Sequence, residues 1–211
     1  MKKWFAVVLL ALFALPVGAF AGITEGVEYT RIPIAVPVET GKKIEVREFF
    51  WYGCPHCFAL EPTLEHWVKT MPKNAQFVRT PAVLNERWAV HARAYYAFEM
   101  LGITNRMHSA LFNALHIDKK PLNDAESLAA FVAEHGGDRK AFLDAYNSFG
   151  MQQTISRAAE LARAYGIDSV PVLYVDGKYM TNASLAGGFD KIPEILNELI
   201  RKAAAERNGK K

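Results

Sequence analysis

The chain has two cysteines, Cys54 and Cys57, and they stand two residues apart in the run Phe49-Phe50-Trp51-Tyr52-Gly53-Cys54-Pro55-His56-Cys57. Ahead of them, Ile44 to Phe50 reads as a strand. Gly53 permits a sharp turn, and from Phe58 to Met71 apolar residues return at helical spacing, so the dithiol falls at a strand-to-helix junction. The first turn of a helix offers unpaired N–H groups and the positive end of the macrodipole. Both favour an anion such as a thiolate.

The N-terminus bears on where such a pair would work. Lys2 and Lys3 precede an apolar run from Trp4 to Leu15, followed by Pro16, Gly18 and the small-x-small triplet Ala19-Phe20-Ala21. This reads as a secretory leader cut after Ala21, because the run is short of the ~20 residues that span a bilayer. A retained anchor is the alternative. No cysteine follows the run, which excludes lipoprotein attachment. Export would place the pair in an oxidising compartment, where a disulfide persists. The formal net charge is +3, and loss of Lys2 and Lys3 leaves +1, a balance that gives a nucleic-acid partner no support.

In chain order, Tyr29 to Val38 is interrupted by Pro33 and Pro37 and suits an edge strand or an extended lead-in. Alternation along the richer strand puts Ile44, Val46, Glu48 and Phe50 on one face. Glu48 is then either a half-exposed acid at a strand end or a buried acid beneath the dithiol. Leu60, Leu64, Trp67 and Val68 form the apolar stripe of the next helix, which Pro62 should kink. Ala75 to Thr80 reads as a strand parallel to the first, since a helix joins them.

From Asn85 to about Phe149 only helical signals occur. Asn85 can cap a helix carrying Trp88, Ala92 and Tyr95, and Met107, Leu111, Ala114 and Leu115 mark a second. Asn123 with Glu126 suggests a capping box for a third, with Leu128, Phe131 and Val132 on one face. Asp138 can cap a fourth, whose Phe142, Tyr146 and Phe149 are expected in the core. A further helix is expected from about Gln153 to Tyr165. Then Ser169 to Val175 enters a strand, Asp176-Gly177 makes a two-residue turn, and Lys178-Tyr179-Met180 returns antiparallel. A last helix carries Ile192, Ile195, Leu196, Leu199 and Ala203. The order implies a mixed α/β layer with an all-helical insertion.

A redox dithiol needs one thiol with a lowered pKa and a second to resolve the mixed disulfide. Cys54, at the helix N-terminus and next to His56, suits the first role, and Cys57, one turn further in, the second. A Cys54 pKa near ~4 would stabilise the dithiol form at pH 7 by about 4 kcal/mol, or roughly 90 mV. Zinc sites share the spacing but need about four ligands. His56, His66, His91, His108, His116 and His135 contain no H-x-x-H or H-x-x-x-H pair, so no metal is expected, and the last five read as surface or satisfied helical histidines. A purely structural disulfide closing four residues would stabilise little.

These residues together resemble the DsbA family of bacterial periplasmic thiol oxidases, in the thioredoxin superfamily. Glu48-Phe49-Phe50 begins six residues ahead of Cys54-Pro55-His56-Cys57, Val170-Pro171 precedes a strand, and Asp176-Gly177-Lys178-Tyr179 forms a turn. The helical block before the second proline and the leader also agree. The resemblance implies a thioredoxin-like fold with an inserted all-helical subdomain: residues 22–84 and 150–211 as the thioredoxin-like domain, 85–149 as the insertion. It implies that Cys54 is the exposed nucleophile, Cys57 the buried partner and Glu48 the acid under the site, with Pro55 and His56 tuning the thiol. Pro171 would be a cis-proline facing the disulfide, and the Val170 backbone would bind an extended substrate. It further implies a monomer without cofactor that passes its disulfide to exported proteins and is reoxidised by a DsbB-type membrane partner. Trp51-Tyr52-Gly53 departs from the best-known members and bears on the adjoining substrate surface. The rival readings are a disulfide isomerase or reductase, for which the stretch before Ile44 leaves no dimerisation domain, and a periplasmic metal-binding module of the same fold.

Overall fold

The structure is a computed structural model and describes residues 22–209; the expected leader and its cleavage site lie outside the described residues. The edge strand foreseen over Tyr29 to Val38 is reduced to two residues, β1 (Thr30–Arg31). Pro33 and Pro37 lack the N–H that a longer ladder would need. Strand β2 (Ile44–Phe50) is buried at all seven positions and leads into α1 (Pro55–Thr70), with Cys54 at the N-cap and Pro55 in the first turn. Proline suits that position because its missing N–H would have no helical partner there. The helix continues through Pro62 as one element. Strand β3 (Ala75–Pro81) then pairs with β2 in parallel, as a helical crossover requires.

Four helices follow: α2 (Glu86–Met100), α3 (Thr104–His116), α4 (Ala125–Glu134) and α5 (Arg139–Tyr146). Asn85 caps α2 by accepting from the Trp88 N–H, and Asp138 caps α5 through the Ala141 N–H. The capping box of α4 is one residue later than the Asn123–Glu126 expectation. Asp124 accepts from the Ser127 N–H at 2.8 Å, and the Ser127 hydroxyl closes the box. Asp124 is the last extended residue, with φ −148° and ψ 168°, and just before it the Leu122 carbonyl is held by His91 Nε2 at 2.9 Å, so the helix begins one residue later.

Helix α6 (Phe149–Ala164) starts four residues earlier than expected, capped by the Ser148 hydroxyl on the Met151 N–H. That cap overturns one core assignment. Because α5 ends at Tyr146, Phe149 leaves the Phe142–Tyr146 face, becomes the first residue of α6 and is 85% exposed.

Strand β4 (Val172–Val175) and β5 (Tyr179–Thr181) form the hairpin. Asp176 and Gly177 both have positive φ, 55° and 63°, as a type I′ turn requires. At Gly177 a Cβ would meet the Val36 carbonyl oxygen at 2.0 Å, so glycine is needed there twice over. After α7 (Ala183–Ala186), α8 (Ile192–Gly209) buries Ile192, Ile195, Leu196, Leu199, Ile200 and Ala203.

Among the described residues the sheet order is β1-β5-β4-β2-β3, in which β2–β3 is the parallel pair and the other three are antiparallel. Helices α1 and α8 cover the face carrying Ile44 and Val46, while α6 covers the face carrying Phe49. A separate core unites α2 to α5 with Phe50, Tyr52, Cys54 and Cys57, so the helical block packs against the dithiol end of β2. This is the thioredoxin-like arrangement with helices interposed between β3 and α6.

The α5–α6 junction is open to a direct test by urea unfolding. Phe142→Ala, in the helical core, should cost about 3–5 kcal/mol. Phe149→Ser should stay within about 0.5 kcal/mol of wild type, and a core-sized loss there would restore Phe149 to the α5 face.

Candidate active site

Both cysteines are free thiols, and one helical turn separates very different surroundings. Cys54, at the N-cap, is 9% exposed, and its sulfur lies 3.3 Å from the Val170 carbonyl oxygen. The Val170–Pro171 bond is cis, and Val170 and Pro171 line a shallow cleft of about 240 Å³ with His56, Asn182 and Phe189. Neither cysteine lines this cleft or two larger ones of about 490 and 510 Å³, and the cleft is tied to the dithiol through His56 and Val170.

The Cys57 thiol donates to the Cys54 sulfur and is the largest reason that Cys54 is lowered to about 6. Burial opposes the shift. The Cys57 and His56 N–H groups then favour the anion, though neither closes a regular capping bond, and the His56 charge contributes least. The direction is the expected one but the extent is smaller than ~4, because the sulfur is partly desolvated. At pH 7 a thiol of that acidity is about ten parts thiolate to one part thiol. Cys57 is fully buried, and burial, then its bond to Cys54 and the nearby Glu48 charge, push its thiol well above the usual range.

Gly53 is needed for space. A Cβ there would lie 2.3 Å from the Trp51 indole, which folds back over it. Trp51 stacks on Trp88 with centroids 4.7 Å apart and planes 6° apart, and the Arg87 guanidinium lies over its ring at 5.2 Å. The departure noted at Trp51-Tyr52-Gly53 therefore builds an aromatic wall beside the nucleophile loop.

Of the two readings of Glu48, the buried one holds. Its carboxyl is buried, and burial together with the neighbouring Glu61 charge raises it to about 8, against the pull of Arg79. Parallel pairing sets Arg79 opposite Glu48, and Arg79 Nε lies 3.5 Å from Glu48 Oε2. The same guanidinium pairs with Glu61 on α1, and His108 Nε2 of α3 lies 3.3 Å from Glu61 Oε2. Burial would raise Glu61 too, but His108 and Arg79 outweigh it and lower its pKa. His108 Nδ1 in turn meets the Tyr52 hydroxyl at 2.8 Å.

Sequence reasoning named Glu48 but missed Glu61, Arg79, His108 and Tyr52. One signal was available: Glu61 is four residues after Cys57, hence on the same side of α1, next to Leu60 and Leu64. Arg79 and His108 come from other elements and carry no such local mark. Of the two readings of His108, surface or satisfied helical histidine, the second holds: it is buried on α3 and bonded to Tyr52 within this charged cluster.

Two measurements test these environments. Thiolate absorbance of the reduced protein should titrate with a midpoint about 6; a midpoint near ~8.5 would contradict it. For Glu48, the folded protein keeps a proton that the unfolded chain has lost between about 4.5 and about 8. Stability should therefore fall as pH rises through that window. Glu48→Gln should unfold at higher urea than wild type above the lower limit, by a margin that grows toward the upper one. A margin independent of pH would show that Glu48 does not titrate there.

A family model described as a DSBA-like thioredoxin domain matches residues 45–199. The thiol:disulfide interchange protein DsbA of Pseudomonas syringae pv. tomato is 38% identical over 200 residues, covering 95% of this chain and 94% of the relative. That of Pseudomonas aeruginosa PAO1 is 40% identical over 182 residues, covering 86% of each. The crystal structure of Pseudomonas aeruginosa DsbA superposes with a TM-score of 0.84 at 39% identity, covering 88% of this chain and 97% of that one. Reduced DsbA1 from Neisseria meningitidis gives 0.80 at 29% identity, covering 90% and 99%. The family-model match over residues 45–199, and the 38–40% identity to these proteins over most of their length, make the chain a member of the DsbA family of thiol:disulfide oxidoreductases.

Proposed function

We propose that this oxidoreductase donates its Cys54–Cys57 disulfide to cysteines of exported proteins. The observation that carries the reading is the placement of the two thiols, Cys54 at the N-cap against the Val170 carbonyl and Cys57 buried one turn further in, which drives the first down to about 6 and the second well up. A substrate thiolate attacks the Cys54 sulfur, the S–S bond breaks, and Cys57 leaves and takes a proton. A second substrate thiolate attacks the substrate sulfur of the mixed disulfide and expels Cys54 as thiolate. The substrate loses two electrons in forming its disulfide, and the protein gains them as a dithiol. Cys54 is the better-exposed target and, being acidic, the better second leaving group. Cys57 is a poor leaving group unless protonated as it departs, and Glu48, raised to about 8 and close enough to act on Cys57, is the residue we assign to supply that proton.

Pro55 starts the helix whose N-cap position Cys54 occupies, and His56 forms the rim of the cleft with Val170 and Pro171. An extended substrate would lie along that cleft with its backbone against Val170. In this reading residues 22–84 and 150–211 are the catalytic domain and 85–149 the insertion that covers it. The site of action is the periplasm, reached by cleavage after Ala21, and a DsbB-type membrane oxidase returns the dithiol to the disulfide. The chain acts as a monomer, without cofactor or metal.

Purified protein lacking the leader should oxidise a dithiol peptide stoichiometrically from its disulfide form. Cys54→Ser should abolish the reaction, lowering the rate more than about 10³-fold, and Cys57→Ser, once Cys54 is joined to glutathione by reaction with oxidised glutathione, should exchange the glutathione for exported-protein thiols and accumulate mixed disulfides through Cys54. Adducts on Cys57 in the Cys54→Ser variant would reverse the assignment. Failure of quinone-containing membrane vesicles to reoxidise the dithiol would remove the proposed partner.

A further inference from the structure

Helix α3 presents His108, Phe112 and His116 at four-residue intervals on one face, and all three converge on Tyr52, two residues before Cys54. His108 Nδ1 meets the Tyr52 hydroxyl at 2.8 Å, and the Phe112 ring packs on the Tyr52 ring with centroids 4.9 Å apart. His116 Nε2 lies 2.7 Å from the Tyr52 carbonyl oxygen. A carbonyl only accepts, so His116 Nε2 carries a hydrogen and donates it. The same imidazole lies flat on Phe58, with centroids 4.9 Å and planes 9° apart, and Phe58 is the residue after Cys57. One side chain from the helical block thus touches both flanks of the Cys-Pro-His-Cys turn.

The backbone it holds lies outside regular secondary structure. Trp51 to Gly53 belongs to neither β2 nor α1, and the bond within the turn is from the Cys54 N–H to the Trp51 carbonyl, at 2.9 Å. Gly53 has the widest backbone freedom of any residue type. Because the Tyr52–Gly53 peptide is planar, anchoring its carbonyl also fixes the direction of the Gly53 N–H and the entry of the chain into Cys54.

We propose that His116 is a positioning residue for thiol exchange: its N–H, bonded to the Tyr52 carbonyl, fixes the Trp51–Gly53 turn so that the Cys54 sulfur stays at the N-cap of α1. His108 and Phe112 hold the rest of Tyr52 so that its carbonyl meets His116. The helical block therefore takes part in setting the redox balance, although it contributes no group to the exchange itself. Without the bond, the Cys54 sulfur spends less time among the donors of the first turn, the thiolate loses support, and the disulfide form gains.

The inference rests on Cys54 being the attacking thiol. The test is the equilibrium with glutathione, read with the thiolate titration and the melting curve of the reduced protein. His116→Phe keeps a ring on Phe58 and removes the donor. It should shift the equilibrium about tenfold toward the protein disulfide, about 30 mV, and move the Cys54 titration upward. His116→Gln restores an N–H and should return the equilibrium to within about twofold of wild type. Wild-type equilibrium and titration in His116→Phe would overturn the proposal. So would a His116→Gln variant that melts like wild type but shows the full shift, since the ring alone would then be responsible. Should His116→Phe fail to melt cooperatively, His116→Gln decides alone on the same criterion. If the titration of otherwise wild-type protein already stands near ~8.5, the assignment of Cys54 has failed; if it is low and indifferent to residue 116, only the positioning role has failed.

Discussion

Strand β2 is buried along its whole length, yet three of its seven residues are ionisable, and the rest of the molecule is arranged to make that tolerable. A buried charge without partners is costly, and removing one member of a buried pair costs about 3–5 kcal/mol. On one face Arg47 bonds Glu45 at 2.7 Å and Thr80, with Glu39 reaching it from the lead-in at 3.2 Å. On the other face Glu48 has only the longer contact to Arg79, which it shares with Glu61. The first group is a well-paired structural tie. The second has two acids for one arginine, and the acid left short, Glu48, is the one that keeps a proton.

That imbalance lies directly beneath the dithiol. Cys57 and Glu61 share a side of α1, Glu48 lies two residues before the end of the strand that leads to it, and a charge on Glu48 disfavours the Cys57 thiolate. Thiol exchange alternately creates and removes an anion at Cys57, so a neighbouring acid poised near neutrality is useful where an ordinary carboxylate, ionised throughout, would only repel. Cys54 meets the opposite conditions a turn away, with donors from Cys57 and the first helical turn, and its thiol, when protonated, donates to the Val170 carbonyl across the cleft. Its thiolate is held less strongly than a pKa near ~4 would give, because the sulfur is 9% exposed and burial works against the charge.

The helical block connects these halves. His108 reaches Glu61 and the Tyr52 hydroxyl, His116 reaches the Tyr52 carbonyl, and both lie on α3. A tyrosine held at both ends in this way ties the turn before the nucleophile to the charged cluster below it. Trp51, stacked on Trp88 of α2, adds a second tie from the same block and requires the absence of a side chain at residue 53.

Much of this was legible in the chain alone. The Cys-x-x-Cys pair at a strand-to-helix junction, the capping residues Asn85 and Asp138, the Asp176-Gly177 turn and the apolar stripe of α8 are local patterns, read over a few residues whose geometry depends on their immediate neighbours. So was Glu48, by alternation, though not its burial. What needed the tertiary structure is whatever two distant segments decide together. Parallel register places Arg79 beside Glu48, α4 is capped by Asp124 rather than Asn123, and the Ser148 cap turns Phe149 out of the core. Tyr52 and the α3 histidines gain their meaning only when a helix more than fifty residues away lies across the turn. The chemical identity of the site is written in short-range spacing. Its proton affinities depend on burial and on charges brought together from separate elements, and no local pattern encodes either.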